Sequence, residues 1–241
     1  MRACVVAFAA LLVTTSALAD TVDKPAVKPG DTWTYRATHQ LGLVGHETHQ
    51  VATVVRAGPS EVLLSIQEVG STLPPRDQLV GADWSRFRNV DGKDTVVNRP
   101  FDFPLSPGKT WQVEYKDDHP TDRKHSSEKI TEKYSVTGWE DVTVPAGTFK
   151  ALKIECEGQW TAVIAPAVGA AAQTRSDAQG STVVMQTNRA APQTVTGRLY
   201  KAFWYVPSVK RWIKTDEEYF NTSGARSEVS SDELESYKLA P

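Results

Sequence analysis

The chain predicts an all-β protein, mainly antiparallel, with one strongly curved sheet (a half-barrel or clamshell) or two packed sheets around a Trp-rich interior. Three observations carry that expectation. A phrase occurs twice, Pro29-Gly30-Asp31-Thr32-Trp33-Thr34-Tyr35 and Pro107-Gly108-Lys109-Thr110-Trp111-Gln112-Val113-Glu114-Tyr115; in each copy a Pro-Gly turn launches an alternating run, as a strand begins after a tight turn. Most segments alternate apolar and polar residues with period two, the spacing of a half-buried strand. Helix signals are few.

In chain order, the first element is a leader. Met1-Arg2 is a short basic start, Val5 to Val13 is unbroken and apolar, and Ala17-Leu18-Ala19 is a small-x-small cleavage site before Asp20; this is the grammar of a signal peptide. The apolar run of about nine residues is far short of the roughly 20 needed to span a bilayer. Residues 1–19 are therefore expected to be removed, and 20–241 to form a single β-rich mature domain, with two β-domains as the alternative. Asp20 rather than Cys at the cleavage point argues against a lipid anchor.

Glu47–Val55 and the alternating Val62, Leu64, Ile66 read as a hairpin across 56–60. Trp84–Val90 and Lys93–Val97 flank Asp91-Gly92, a pair that accepts the positive φ of a tight hairpin turn. Ile130, Tyr134 and Val136 share one strand parity, with Gly138-Trp139 closing that strand; Val142 to Gly147 is a turn feeding Thr148–Glu157. The last three strands are Val195–Val206, Lys210–Tyr219 and Arg226–Leu239. Residues 126–135 and 231–239 carry competing helical spacing, and β-branched content decides for strand in the first. The Ala-rich stretch of about 162–180 lacks alternation beyond Ile164 and reads as a flexible loop, or alternatively as an apolar flap or membrane-touching tip.

Charge and cysteines narrow the function classes. The chain has 27 basic and 29 acidic residues, and the leader removes one base, Arg2, and no acid. Near-neutral balance without a basic stripe argues against a nucleic-acid partner and against an electrostatic hold on anionic lipid. Of two cysteines, Cys4 leaves with the leader, so Cys156 has no internal disulfide partner. Its alternation with Leu152 and Ile154 places it on an apolar strand face as a small buried hydrophobe.

The run Gly138-Trp139-Glu140-Asp141-Val142-Thr143-Val144-Pro145-Ala146-Gly147-Thr148-Phe149, the two Pro-Gly-x-Thr-Trp phrases, Trp204-Tyr205-Val206-Pro207-Ser208-Val209-Lys210-Arg211 and the closing Glu233-Leu234-Glu235-Ser236-Tyr237-Lys238-Leu239 resemble a group of uncharacterised secreted bacterial β-proteins. The resemblance covers most of the mature chain outside the Ala-rich stretch and brings no activity with it. In outline the implied sheet is similar to the half-barrel of periplasmic lipoprotein carriers, an analogy of fold alone.

No motif commits the chain to catalysis, to a metal or to a cofactor. His39, His46 and His49 are close in sequence, but positions 46 and 49 of one strand point to opposite faces. There is no Gly-x-Ser-x-Gly elbow and no phosphate loop. Carboxylates such as Glu114, Asp117, Asp118, Glu155 and Glu157 read as solvated strand faces. The seven tryptophans divide in two. Trp33, Trp111 and Trp139 sit in turn phrases and read as packing, whereas Trp84, Trp160, Trp204 and Trp212, flanked by polar or basic residues, are the candidate ligand-binding set at the lip of a groove. Phe203-Trp204-Tyr205 should send Trp204 to the face opposite its neighbours, with the Ala-rich stretch as its cover.

The leading expectation is an exported, periplasmic or extracellular, non-enzymatic envelope protein that binds a lipid, another apolar ligand or an extended chain on a concave sheet face. An interaction module working with another envelope protein through its sheet edges is the alternative, and a hydrolase the third.

Overall fold

The computed structural model describes residues 21–120, 125–164, 168–177, 180–189 and 191–241, for 168–189 in backbone alone. The expected signal peptide and its cleavage site lie outside these residues. In chain order the strands are β1 (Thr32–Leu41), β2 (Val44–Ala57), β3 (Glu61–Glu68), β4 (Arg76–Gly81), β5 (Arg86–Val90), β6 (Lys93–Asn98), β7 (Thr110–Asp117), β8 (His125–Val144), β9 (Gly147–Ile164), β10 (Val168–Asp177), β11 (Gly180–Arg189), β12 (Gln193–Val206), β13 (Arg211–Phe220) and β14 (Arg226–Lys238), with one 3-10 turn at Pro207–Val209. Ten of them form one antiparallel sheet in the order β4-β3-β2-β1-β14-β13-β12-β9-β8-β7. The sheet does not close, because β4 and β7 remain its two edges among the described residues.

The chain itself bridges those edges. Residues 82–109 leave edge strand β4, form the β5–β6 hairpin, and enter edge strand β7 after crossing the inner face. Phe101 and Leu105 in this strap are fully buried. Phe101 packs on Tyr205, Phe203 and Trp212 at ring separations of 5.0, 5.9 and 6.1 Å, and Leu105 exchanges two 2.8 Å backbone hydrogen bonds with Val22. Trp84 at the start of the strap meets Trp33 of β1 edge-on at 5.6 Å, and Trp111 of β7 donates its indole N–H to Arg99 O at 2.8 Å. Because β1, β7, β12 and β13 all reach one strap, the sheet wraps around it. Apolar burial on this face drives the curvature, at roughly 25 cal/mol per Å² removed from water.

Both copies of the repeated phrase are strand entries of the same build. Gly30 and Gly108 take φ values of +93° and +85°, which residues with a Cβ rarely adopt. Gly30 N–H bonds Val54 O, and Val54 N–H bonds Asp31 O; the second copy repeats this with Gly108, Val136 and Lys109. The copies differ in their third residue. Asp31 is buried and accepts from Lys28 N, Ala240 N and Lys210 Nζ at 2.8–2.9 Å, whereas Lys109 reaches out to Asp102 at 2.9 Å.

Three expectations need correction. Gly138-Trp139 does not close a strand: β8 runs on to Val144 with a register shift between Val136 and Gly138, and Gly138 (φ +147°) absorbs the bulge. The Ala-rich stretch read as a loop is instead strand over Val168–Asp177, paired antiparallel with β11 from Val168↔Arg189 to Asp177↔Gly180. Small side chains hide period two, but backbone pairing does not need side-chain contrast. Nor does that stretch supply the cover over Trp204. It joins β9 and β12 at Ile164 and Gln193, eleven positions along β12 from Trp204, or about 36 Å at 3.3 Å per residue. Trp204 is covered by Lys153 and Lys214, whose ammonium groups lie 5.5 and 5.1 Å from its ring, and its N–H bonds Glu140 Oε1.

Candidate ligand cavity on the inner face

The site begins at the corner between β12 and β13. Pro207–Val209 forms a single 3-10 turn ended by Lys210 in the left-handed region (φ +63°). Three aromatic donors hold the backbone that follows: Trp33 Nε1 bonds Val209 O at 2.9 Å, Trp84 Nε1 bonds Lys210 O at 3.1 Å, and Tyr35 OH bonds Trp212 O at 2.6 Å. Trp84 itself adopts φ +66°, in a turn where Asp83 Oδ1 accepts from Ser85 N–H at 3.0 Å. These contacts account for the Trp-Tyr-Val-Pro-Ser-Val-Lys-Arg phrase: it is the corner around which the inner-face aromatics converge.

At the centre lies Arg211. Its guanidinium carbon is 4.2 Å from the Trp212 ring centroid, 5.0 Å from Trp84, 5.1 Å from Trp33 and 5.3 Å from Tyr35. The residue is only 7% exposed, and burial pulls its pKa down against the pull of Tyr35 and Asp232. Ring faces attract a cation, yet Arg211 Nε and Nη1 find no hydrogen-bond partner among the described residues.

Beside Arg211 a cavity of about 200 Å³ opens between the inner faces of β1–β4 and β13–β14, roofed by the strap. Tyr35, Leu64, Trp84, Phe203 and Trp212 give it an aromatic and aliphatic side, while Gln50, Gln78, Asn98 and Thr215 are among its polar lining, and the polar share of its surface is the larger. Arg76, Arg86, Glu217 and Asp232 supply its charge. Arg86 lies 3.9 Å from Glu217, which is also 3.8 Å from Lys201. Burial, with the Glu217 charge next, raises the pKa of Asp232 against the pull of Arg211 and Arg86. Two more buried donors in the lining, Trp212 Nε1 and Asn98 Nδ2, have no partner among the described residues. Buried polar atoms are nearly always paired, so four unpaired donors on three residues that line one cavity are an unusual concentration.

The four candidate tryptophans scatter. Trp84 and Trp212 both line this cavity, 6.0 Å apart edge to face, though Trp84 is interior rather than at a lip. Trp160 shares the strand parity of Cys156 and so the inner face, but lies toward the opposite end of the sheet, with its ring over Gly197 and its N–H on Phe220 O at 3.1 Å. Trp204 faces the other side, opposite Phe203 and Tyr205 as the alternation requires. The structure therefore brings together two of the four. Arg211, Asp232 and Asn98 were not legible as site residues, since each stands beside other polar residues with no spacing to single it out; the one signal was Arg211 directly before Trp212.

His39, His46 and His49 occupy the β1–β2 hairpin, with His39 opposite His46 and His49 opposite Arg36. His39 and His49 each sit 2.9 Å from a glutamate, Glu228 and Glu235. Among the described residues no cluster of three or more His, Cys, Asp or Glu side chains could hold a metal ion, and no helix is long and apolar enough to cross a membrane.

No protein-family model and no curated protein matches the chain. Among solved structures, a candidate exported protein with a YmcC-like fold from Bacteroides fragilis is similar at 16% identity and a TM-score of 0.43, over 90% of this chain and 99% of that one. A candidate lipoprotein from Parabacteroides distasonis is similar at 18% identity and 0.45, over 91% and 100%. The hypothetical lipoprotein YmcC from Escherichia coli is similar at 11% identity and 0.33, over 89% and 86%.

Proposed function

We propose that this is an exported, non-enzymatic envelope protein that binds a small ligand on the inner face of its sheet, in the cavity beside Arg211. The observation that carries the reading is a cavity lined by Arg211, whose buried Nε and Nη1 have no partner among the described residues, beside Tyr35, Trp84 and Trp212. Export rests on the basic start, the Val5–Val13 run and the Ala17-Leu18-Ala19 site. The cavity is smaller than the roughly 300–1,000 Å³ typical of drug-sized ligands, and Phe101 and Leu105 fill the centre of the inner face. A small molecule, or one end of a larger one, suits this space better than a whole lipid.

The test is native mass spectrometry of protein taken from the envelope of its own host, for the natural chain and for Ala52→Phe, which fills the cavity. A small-molecule adduct present in the first and lost in the second is the expected result. No adduct, or an adduct indifferent to the filling, overturns the reading.

A second reading, an interaction module, draws on the β1–β2 tip, where Leu41, Leu43 and Val44 are all exposed, Leu43 completely. Exposed apolar clusters of this kind mark contact sites. Replacing the three by Ser, Thr and Thr and measuring co-purification of envelope proteins would separate it from the first.

A further inference from the structure

The far end of the inner face holds a second cavity, separate from the one beside Arg211. It has a volume of about 290 Å³ and lies between β8 and β9 on one side and β13 and β14 on the other. Its floor follows from one glycine. Gly197 of β12 carries no side chain, so Trp160 of β9 lies across it and reaches Phe220 O of β13 at 3.1 Å. The ring thereby bridges three neighbouring strands, with Ile130 and Tyr219 beside it in the lining. Unlike the space beside Arg211, this one has the larger share of its surface apolar.

The charge in the lining has one sign. Glu128 and Glu228 are its acids, and among the described residues no lysine or arginine lines it. Glu128 Oε1 lies 2.7 Å from His125 Nδ1, and Glu228 Oε1 lies 2.9 Å from His39 Nε2. With histidine counted neutral at pH 7, such a contact leaves a carboxylate its charge. The two side chains are 22% and 40% exposed, so both are open to a ligand. Cations close by are committed elsewhere. Lys201 Nζ lies 6.0 Å from the Tyr219 ring but is met by Glu132 at 2.7 Å and Glu217 at 3.8 Å. Lys129 and Arg226, next to lining residues in the chain, pair with Glu114 and Glu218 at 2.9 and 3.0 Å. Arg198, beside Gly197, sits over the Phe220 ring at 5.2 Å.

We propose that this cavity takes an organic ammonium ion, its charge drawn by Glu128 and Glu228 and its apolar body laid on Trp160 and Ile130. The assignment is independent of what binds beside Arg211. Two carboxylates with no cationic side chain in the lining attract a cation and repel an acid. An indole face is the best side-chain partner a cation can have. The volume equals roughly ten waters at about 30 Å³ each, the scale of a single-ring or short-chain amine. A metal ion is disfavoured, because no cluster of three or more His, Cys, Asp or Glu ligands forms among the described residues. The ammonium head of a lipid carries a phosphate that would meet the same two acids, so a free amine fits better.

The experiment titrates the uniformly 15N-labelled mature protein at pH 7 with phenethylamine, 2-phenylethanol, phenylacetate and phosphoethanolamine. Indole N–H resonances are followed, assigned by Trp160→Phe, Trp84→Phe and Trp212→Phe. Phenethylamine should shift the Trp160 resonance, leave those of Trp84 and Trp212 in place, and bind roughly tenfold tighter than the alcohol, as a charged partner does over a neutral one. Phenylacetate and phosphoethanolamine should bind more weakly than phenethylamine. Glu128→Gln and Glu228→Gln keep shape and can still accept from histidine. Each should weaken the amine severalfold with the alcohol unchanged, and the double variant should abolish the preference. Glu61→Gln, at the other end of the sheet, should leave every affinity as it was.

If the alcohol or the acid binds as well as the amine, or the two glutamine variants bind the amine unchanged, the ammonium assignment is overturned. Phosphoethanolamine binding as tightly as phenethylamine overturns the free amine in favour of a lipid-type head. A loss in Glu61→Gln equal to that in Glu128→Gln would reduce the effect to net charge and overturn the site. A shift at Trp84 or Trp212 in place of Trp160 puts the amine beside Arg211, and overturns it as well. If phenethylamine shifts no indole resonance at millimolar concentration, this assignment falls while the reading of the Arg211 cavity stands.

Discussion

Lys201 and Glu132 form an ion pair inside the sheet, with Nζ 2.7 Å from Oε1 and side chains only 5% and 2% exposed. The second carboxylate oxygen of Glu132 accepts the Tyr134 hydroxyl at 2.5 Å, and Glu217 stands 3.8 Å from the same ammonium. Removing one member of such a pair strands the other charge in a low-dielectric interior. Lys201→Met should therefore cost about 3–5 kcal/mol in urea unfolding. The double variant Lys201→Met/Glu132→Gln should recover part of that loss. Strict additivity of the two single changes would mean that the pair carries no coupling.

The same interior should weaken in alkali. Burial by itself would strip the Lys201 proton, but Glu217, Tyr219 and Glu132 hold its pKa above the ordinary 10.5. Burial, reinforced by the Glu132 charge, pushes the Cys156 thiol from 9.0 up to about 12. Both folded-state values are raised, so both contributions are complete below the unfolded values and fade as pH climbs through the folded ones. Melting temperature should hold steady through pH 8, fall between pH 9 and 12 as Cys156 and then Lys201 are drawn to lose protons, and fall less steeply over pH 9–10 in Cys156→Ala. In the native state at pH 8 the thiol should react with an aromatic disulfide reagent orders of magnitude more slowly than in urea.

Equivalent placement of Trp33 and Trp111 does not make their contributions equal. Trp33 is completely buried, whereas Trp111, stacked on Tyr134 at 5.2 Å, is only partly so. Trp33→Ala should cost about 3–5 kcal/mol, and Trp111→Ala less, about 1–3 kcal/mol. Chemical denaturation of the two variants checks the order; equal losses would show that strand entry outweighs burial.

Gly197 lets Trp160 lie across β12. A Cβ there would come within 2.0 Å of Phe220 O and 2.6 Å of the Trp160 ring. Gly197→Ala should destabilise by about 1–3 kcal/mol through overpacking and shift Trp160 emission. An unperturbed variant would show that Trp160 is not wedged.

Much of the architecture was readable before any coordinates. Alternation placed the hairpins of β2 with β3 and of β5 with β6, and Pro-Gly turns placed the entries of β1 and β7, because strand periodicity and positive-φ turns are local properties written in adjacent residues. The strand over 231–239 and the buried face of Cys156 followed from the same local rules. Where local contrast vanished, as in Val168–Asp177, the strand was invisible, since its pairing with β11 depends on backbone groups that every sequence carries. The site lies beyond local reach altogether. Arg211 is one arginine among many until the strap from 82 to 109 carries Trp84 over the inner face and β1 brings Trp33 and Tyr35 beneath it. Only that long-range closure, driven by burying the inner face of an open sheet, decides that its charge is caged, its N–H groups are unmet, and a cavity stands beside it.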